Sequence, residues 1–145
     1  MLFDSLDNDE QEYAEQILLD FTGFVLYYQN CVPEDWSPSV IEHCLVKDFP
    51  RSLARTEEYE YSIFNVLLNF FAFLKEENLH PAADDLFSHL ISLDDKFREK
   101  MEDTDLYSPR KSLIITSMNE GIQEDDYDAM LKYFNQVGYR ELADF

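Results

Sequence analysis

The side chains best suited to chemistry are His43, His80 and His89, the thiols Cys31 and Cys44, and 31 Asp and Glu. A di-metal carboxylate bundle needs a Glu-x-x-His pair on each of two helices, pointing inward. Only Glu77-Asn78-Leu79-His80 has that spacing, and Pro81 follows at once. Glu77 and His80 therefore straddle a helix boundary and cannot share a face. Zinc needs about four Cys or His ligands at short spacings. His43 and Cys44 are neighbours, and adjacent helical residues diverge by about 100°, so they do not converge on one ion. The acidic stretch 120–128 holds Gly121 but lacks the alternating ligands and closing Glu of a calcium loop. Nucleophilic catalysis requires a nucleophile, a base and an orienting group in one pocket, and no histidine here sits in such a motif. Three scattered glycines build no phosphate-cradling loop. These residues name no cofactor, no metal and no reaction.

Charge is the stronger signal. The 31 acids face only 11 Lys and Arg, a formal net charge of −20. That balance opposes binding to nucleic acid or an anionic membrane, which require a basic footprint. A cationic partner protein is electrostatically easier. The acidity is uneven: the first 46 residues contain no Lys or Arg, and Lys47, Arg51 and Arg55 then follow closely. Arg110-Lys111 is a second small basic group. Such residues ordinarily pair with surrounding acids. Rows of helical carboxylates can instead imitate a phosphate track and occupy a basic site. Salt adaptation is a third origin for the acidity.

The two cysteines form no disulfide framework and read as small buried hydrophobes. No basic segment of signal-peptide type opens the chain. The most apolar run, Ile63–Leu74, is interrupted by Asn65 and Asn69 and is too short to span a bilayer. The expected setting is soluble and cytoplasmic, with reduced thiols and no membrane role.

The elements that position these groups are helices. Hydrophobic residues make up 46% of 145 positions, with 12 Phe and 9 Tyr, while Gly and Pro are few. Long periodic apolar runs with little turn punctuation predict an all-α chain, and the length suits one domain over 1–145. A first helix is expected from about Glu10 to Cys31, with the stripe Ala14, Ile17, Leu18, Phe21, Val25, Tyr28 and Val32 inward. Gly23 inside it suggests a close helix–helix approach. Ser37-Pro38 reads as an N-cap followed by proline at the first helical position, with the helix ending before Pro50. Thr56 caps a helix of about 57–78. Its core, Ile63–Leu74, is apolar on nearly every side, which predicts a central buried helix. A fourth helix runs from about Pro81 to Met101. Ser108-Pro109 opens a fifth, burying Leu113, Ile114 and Met118, and Gly121 suits the left-handed residue after its end. A sixth covers about Asp125 to Gln136, and 139–145 forms a docked turn. The expected architecture is a single bundle of five to six helices.

Trp36-Ser37-Pro38, Leu45 and Phe49-Pro50-Arg51 form a pattern that continues through Val66-Leu67, Phe70-Phe71-x-Phe73-Leu74, Met101, Ser108-Pro109-x-Lys111-Ser112 and Gly121. Over about residues 33–137 it resembles the uncharacterised helical module of some bacterial and archaeal proteins bearing a SEC-C zinc motif. The cysteine cluster of that motif is missing, so its metal role does not transfer. The resemblance implies a helical domain and nothing about catalysis.

The leading functional expectation is a non-catalytic protein-interaction or regulatory domain whose acidic surface receives a basic protein. Trp36, Lys47, Arg51 and Arg55 are the candidate contacts, Trp36 because tryptophan is enriched at interface anchors. Packing at the staple position beside Ser37-Pro38 is the other fate of that ring. Self-association into a homo-oligomer is compatible with the sequence. The alternatives are an acidic DNA-mimic inhibitor and an enzyme whose site no motif marks.

Overall fold

A computed structural model describes residues 5–123 and 125–136, and these are all-α. The helices are α1 (Asn8–Gln29), α2 (Pro38–His43), α3 (Phe49–Ser52), α4 (Glu57–Glu76), α5 (Ala83–Ser92), α6 (Asp94–Glu102), α7 (Pro109–Asn119) and α8 (Tyr127–Gln136). A π-helical segment, Cys44–Asp48, joins α2 to α3. The expected turn at 139–145 lies outside the described residues.

Local chemistry sets the ends of the helices. Asp7 caps α1, not a residue nearer Glu10. Its carboxylate accepts from Glu10 N at 2.8 Å and Glu10 answers at the Asp7 N–H at 3.0 Å, a reciprocal capping box. Asn30, with φ of 50°, closes the helix in the left-handed region. Thr56 caps α4 through Tyr59 N, and Ser108 caps α7 through Lys111 N. Ser37 occupies the cap position of α2, but its hydroxyl pairs with Ser39, not with the helix backbone. Gly121, with φ of 91°, follows α7 as expected, its N–H donating to Met118 O.

Three expected features are replaced by different geometry. Pro50 does not end a helix, because the helical path from Pro38 runs on to Ser52. The π register makes this possible: Phe49 N–H reaches back to Cys44 O, five residues away. The wider turn accommodates a ring that would collide with an α-helical carbonyl. Second, the single helix expected over 81–101 is two helices. Leu93 (φ −95°, ψ 0°) tightens to a bond with Leu90 O, the Ser92 hydroxyl back-bonds to His89 O, and Asp94 and Asp95 then begin α6. Third, Gly23 meets no neighbour: a Cβ there would have nothing within 4 Å. It lies on the open face of α1.

The core gathers Ala14, Ile17, Phe21 and Val25 of α1 and Ile63, Val66, Leu67 and Phe71 of α4. Cys44, Leu45 and Phe49, then Leu86, Leu90, Leu93, Phe97 and Met101, complete it. α4 is the central helix, and α1 and α5 are the helices most extensively packed against it. It is not covered on every side: Asn65 is exposed, and Phe70 and Phe73 are half-buried. Side-chain bonds fasten it to the N-terminal part of the chain, with Asn65 donating to Glu10 at 2.7 Å and Asn69 to Ser5 at 2.7 Å. Burying each large core side chain contributes about 1.5–3 kcal/mol.

α7 is anchored by charge as well as by apolar contact. Lys111 and Ser117 are buried with Leu113, whereas Ile114 and Met118 are only half-buried. The Lys111 ammonium donates to Phe49 O at 3.3 Å and Pro50 O at 2.8 Å, and lies 3.9 Å from the centre of the Tyr107 ring. Ser108 N–H donates to Arg51 O at 2.9 Å. The start of α7 thus bonds to carbonyls of α3, adding a donor to Phe49 O, which already accepts from Leu53 N–H at 3.0 Å, and serving Pro50 O and Arg51 O.

Candidate functional site

A cavity of about 670 Å³ opens between the first turns of α4 and the facing sides of α6 and α7. That volume is in the range of small-ligand pockets, about 300–1,000 Å³. Its apolar walls are Phe64, Phe97, Met101 and Met118, and Tyr13, Tyr61 and Tyr107 add aromatic faces. Glu57, Glu58 and Glu60 enter from α4 and Glu102 from the end of α6. The three α4 acids are there because acidic side chains stabilise a helix N-terminus. Thr56 starts that helix at the cavity edge, which fixes where the carboxylates stand.

Two arginines line the same cavity, and both are occupied by carboxylates from elsewhere. Arg55 holds Asp20 of α1 in a fork, Nε and Nη2 each at 3.1 Å, and stacks over the Tyr59 ring at 5.1 Å. The Tyr59 hydroxyl donates to the same Asp20. Arg98 donates to Asp94 at 2.7 Å, and Asp94 keeps its guanidinium firmly protonated. By contrast, Glu57, Glu60 and Glu102 make no hydrogen bond or ion pair within 4 Å of a described residue. Glu58 accepts one long bond, 3.4 Å, from Tyr13.

Burial first, and the surplus of negative charge second, perturb the titrating groups here. Burial pushes the Glu60 carboxyl up to about 7, against the attraction of Lys111 and with the repulsion of Glu57. Burial brings the Lys111 amine down to about 8, with Glu60 opposing. The Tyr107 phenol is raised, first by its burial and then by Glu60, Glu57 and Glu102 together. Those three acids come from two helices, α4 and α6.

The candidate contacts named from sequence are dispersed. Trp36 is 5% exposed and packs edge-on against Phe21 and Phe71, with His80 stacked on it. Its ring offers a partner no surface in this conformation. Lys47 and Arg51 are exposed on the path through the π segment and α3. Arg55 alone lines the cavity, already engaged. Arg110 is exposed, while its neighbour Lys111 is 1% exposed. Tyr61 and Tyr107 could be read from sequence as groove-lining or surface aromatics, and both line the cavity; Glu57, Glu60 and Glu102 were not marked by sequence as site residues. One signal was present: Lys111 falls in the first turn of α7, where a cation opposes the helix dipole and must find another partner.

The groups weighed for chemistry are held apart. His43 pairs with Asp48 at 3.0 Å, and His89 with Glu42 at 2.9 Å, where Lys96 joins at 3.3 Å. His80 accepts from Ala82 N–H through Nδ1 at 3.0 Å, which leaves Nε2–H to donate to Pro33 O at 2.8 Å. Cys44 is buried, which pushes its thiol well up, and Cys31 is half-buried. Among the described residues, no histidine lines the cavity and no three His, Cys, Asp or Glu are placed to hold a metal ion. No helix among them is long and apolar enough to cross a membrane.

Comparison of the chain with protein-family models, curated proteins and solved structures finds no match.

Proposed function

We propose that this is a non-catalytic interaction domain that receives a positively charged protein partner. One observation carries this reading. The cavity concentrates Glu57, Glu60 and Glu102 without ion-pair partners, while both arginines in its wall are satisfied by Asp20 and Asp94. Glu60 is half-buried in this aromatic-walled space, where the attraction of Lys111 does not offset its burial, so its charge is costly when the space is empty. An entering cation relieves that cost, which makes positive charge the chemistry this site favours.

The DNA-mimic alternative is less well supported. Several N-terminal acids are taken up internally: Asp7 and Glu10 in the cap of α1, and Asp20 by Arg55 and Tyr59. The reading is tested by fluorescence anisotropy with a labelled polybasic peptide at low and high ionic strength. Saturable binding that weakens steeply with salt is the expected result. A protein with this net charge that shows no saturable binding even at low salt does not have this function.

A further inference from the structure

Resting on the reading of a cation-binding domain, we infer that the cavity between α4, α6 and α7 takes the guanidinium of an arginine side chain presented by a basic polypeptide segment. The geometry supplies the two elements of arginine recognition. Carboxylates reach in from separate helices, Glu57 and Glu60 from α4 and Glu102 from α6. The rings of Phe64, Phe97, Tyr61 and Tyr107 line the same cavity. A guanidinium is planar, stacks on aromatic faces, presents several donors to carboxylates and is weakly hydrated, so it sheds water more readily than an ammonium. The chain already holds one of its own arginines in this way. Arg55 lies over the Tyr59 ring and grips Asp20 through two nitrogens.

The walls indicate why a neutral or anionic guest fits less well. A neutral guest leaves Glu60 half-buried with no near partner, and an anion adds repulsion to the four carboxylates. Lys111 attracts Glu60 without an ion pair, since its ammonium is bonded to the Phe49 and Pro50 carbonyls over the Tyr107 ring, and burial still dominates at Glu60. The mouth favours a polypeptide over a small free cation. Tyr61 is 63% exposed at the rim, with exposed Glu57 and Glu58 beside it. Basic residues flanking the inserted arginine would meet these carboxylates.

The test compares labelled peptides of equal charge carrying either arginine or lysine, together with free arginine amide, on the wild-type protein. The same set is run on a Glu57→Gln/Glu60→Gln/Glu102→Gln variant and on Tyr61→Ala, each checked for unchanged helicity by circular dichroism. The substitutions sit at exposed or half-buried positions, and glutamine preserves side-chain size. The expected result is preference for the arginine peptide, weakened about tenfold or more in the triple variant and measurably in Tyr61→Ala. Equal affinity for the lysine peptide overturns the guanidinium assignment. Free arginine amide binding as tightly as the peptide overturns the polypeptide source. If the triple variant binds as wild type does, the cavity is not the site, although a basic partner is still bound elsewhere. No binding of either peptide at low salt overturns both this inference and the function beneath it.

Discussion

Replacing Glu60 by glutamine isolates the cost of ionising a carboxyl inside the cavity wall. Burial raises this group from an ordinary 4.5 to about 7, with Glu57 adding repulsion and Lys111 partly offsetting it. The folded chain therefore binds a proton more tightly than the unfolded chain. The stability this confers is fully present below about pH 4.5 and is lost as pH rises through about 7. At 1.36 kcal/mol per pH unit the whole effect has an upper limit of about 3 kcal/mol. Water at the open cavity reduces this to about 1–3 kcal/mol. Glutamine stays neutral throughout, so Glu60→Gln should match wild type near pH 4.5 and exceed it by that amount at about pH 7.5. Urea denaturation of both proteins across this range measures the difference directly, since the other carboxylates largely cancel. A difference that does not change with pH, or a variant less stable at neutral pH, would refute the claim that Glu60 is held against its charge.

Other perturbations address the framework that builds the cavity. Lys111→Met keeps the length of the stem but removes the ammonium that bonds Pro50 O and shares Phe49 O with Leu53 N–H; a loss of about 1–3 kcal/mol is expected in chemical denaturation, and no loss would contradict the anchoring of α7. Phe71→Ala removes a wholly buried ring from the centre of α4 and should cost about 3–5 kcal/mol, so an unchanged melting temperature would displace α4 from the core. Gly23→Ala lies on an open helical face and should raise stability by about 0.5–1 kcal/mol in a thermal melt. A destabilised Gly23→Ala would mean that another surface approaches α1 there.

Local chemistry made much of the fold readable. Thr56, Ser108-Pro109 and Gly121 act within a few residues of themselves, so their roles follow from sequence alone. The stripe Ala14, Ile17, Phe21 and Val25 is equally legible because helical periodicity places it on one face, but its expected continuation through Tyr28 and Val32 is exposed, and α1 ends at Gln29. The break at Leu93 was hidden because Leu90, Leu93 and Phe97 remain apolar and buried across it, so the pattern continues where the backbone does not. Pro50 misled for a different reason: the π register that tolerates it depends on packing of Cys44, Leu45 and Phe49. Asp7-x-x-Glu10 carries a readable capping box, which starts α1 at Asn8, ahead of the expected start at about Glu10. The cavity was the least legible part. Phe64, Phe97 and Met101 read as ordinary core stripes, and nothing local reveals that their helices stand apart there. Lys111 carried a signal only by contradiction, as a cation in a helix's first turn.

The central claim is that positive charge binds in this cavity, not on the acidic surface at large. Amide chemical-shift mapping by NMR during titration with an arginine-containing basic peptide addresses it most directly. Shifts confined to residues 57–64, 98–107 and 115–119, saturating together, are the predicted result. Shifts spread along the exposed face of α1 around Glu12 and Glu15, with the cavity residues unmoved, would contradict it.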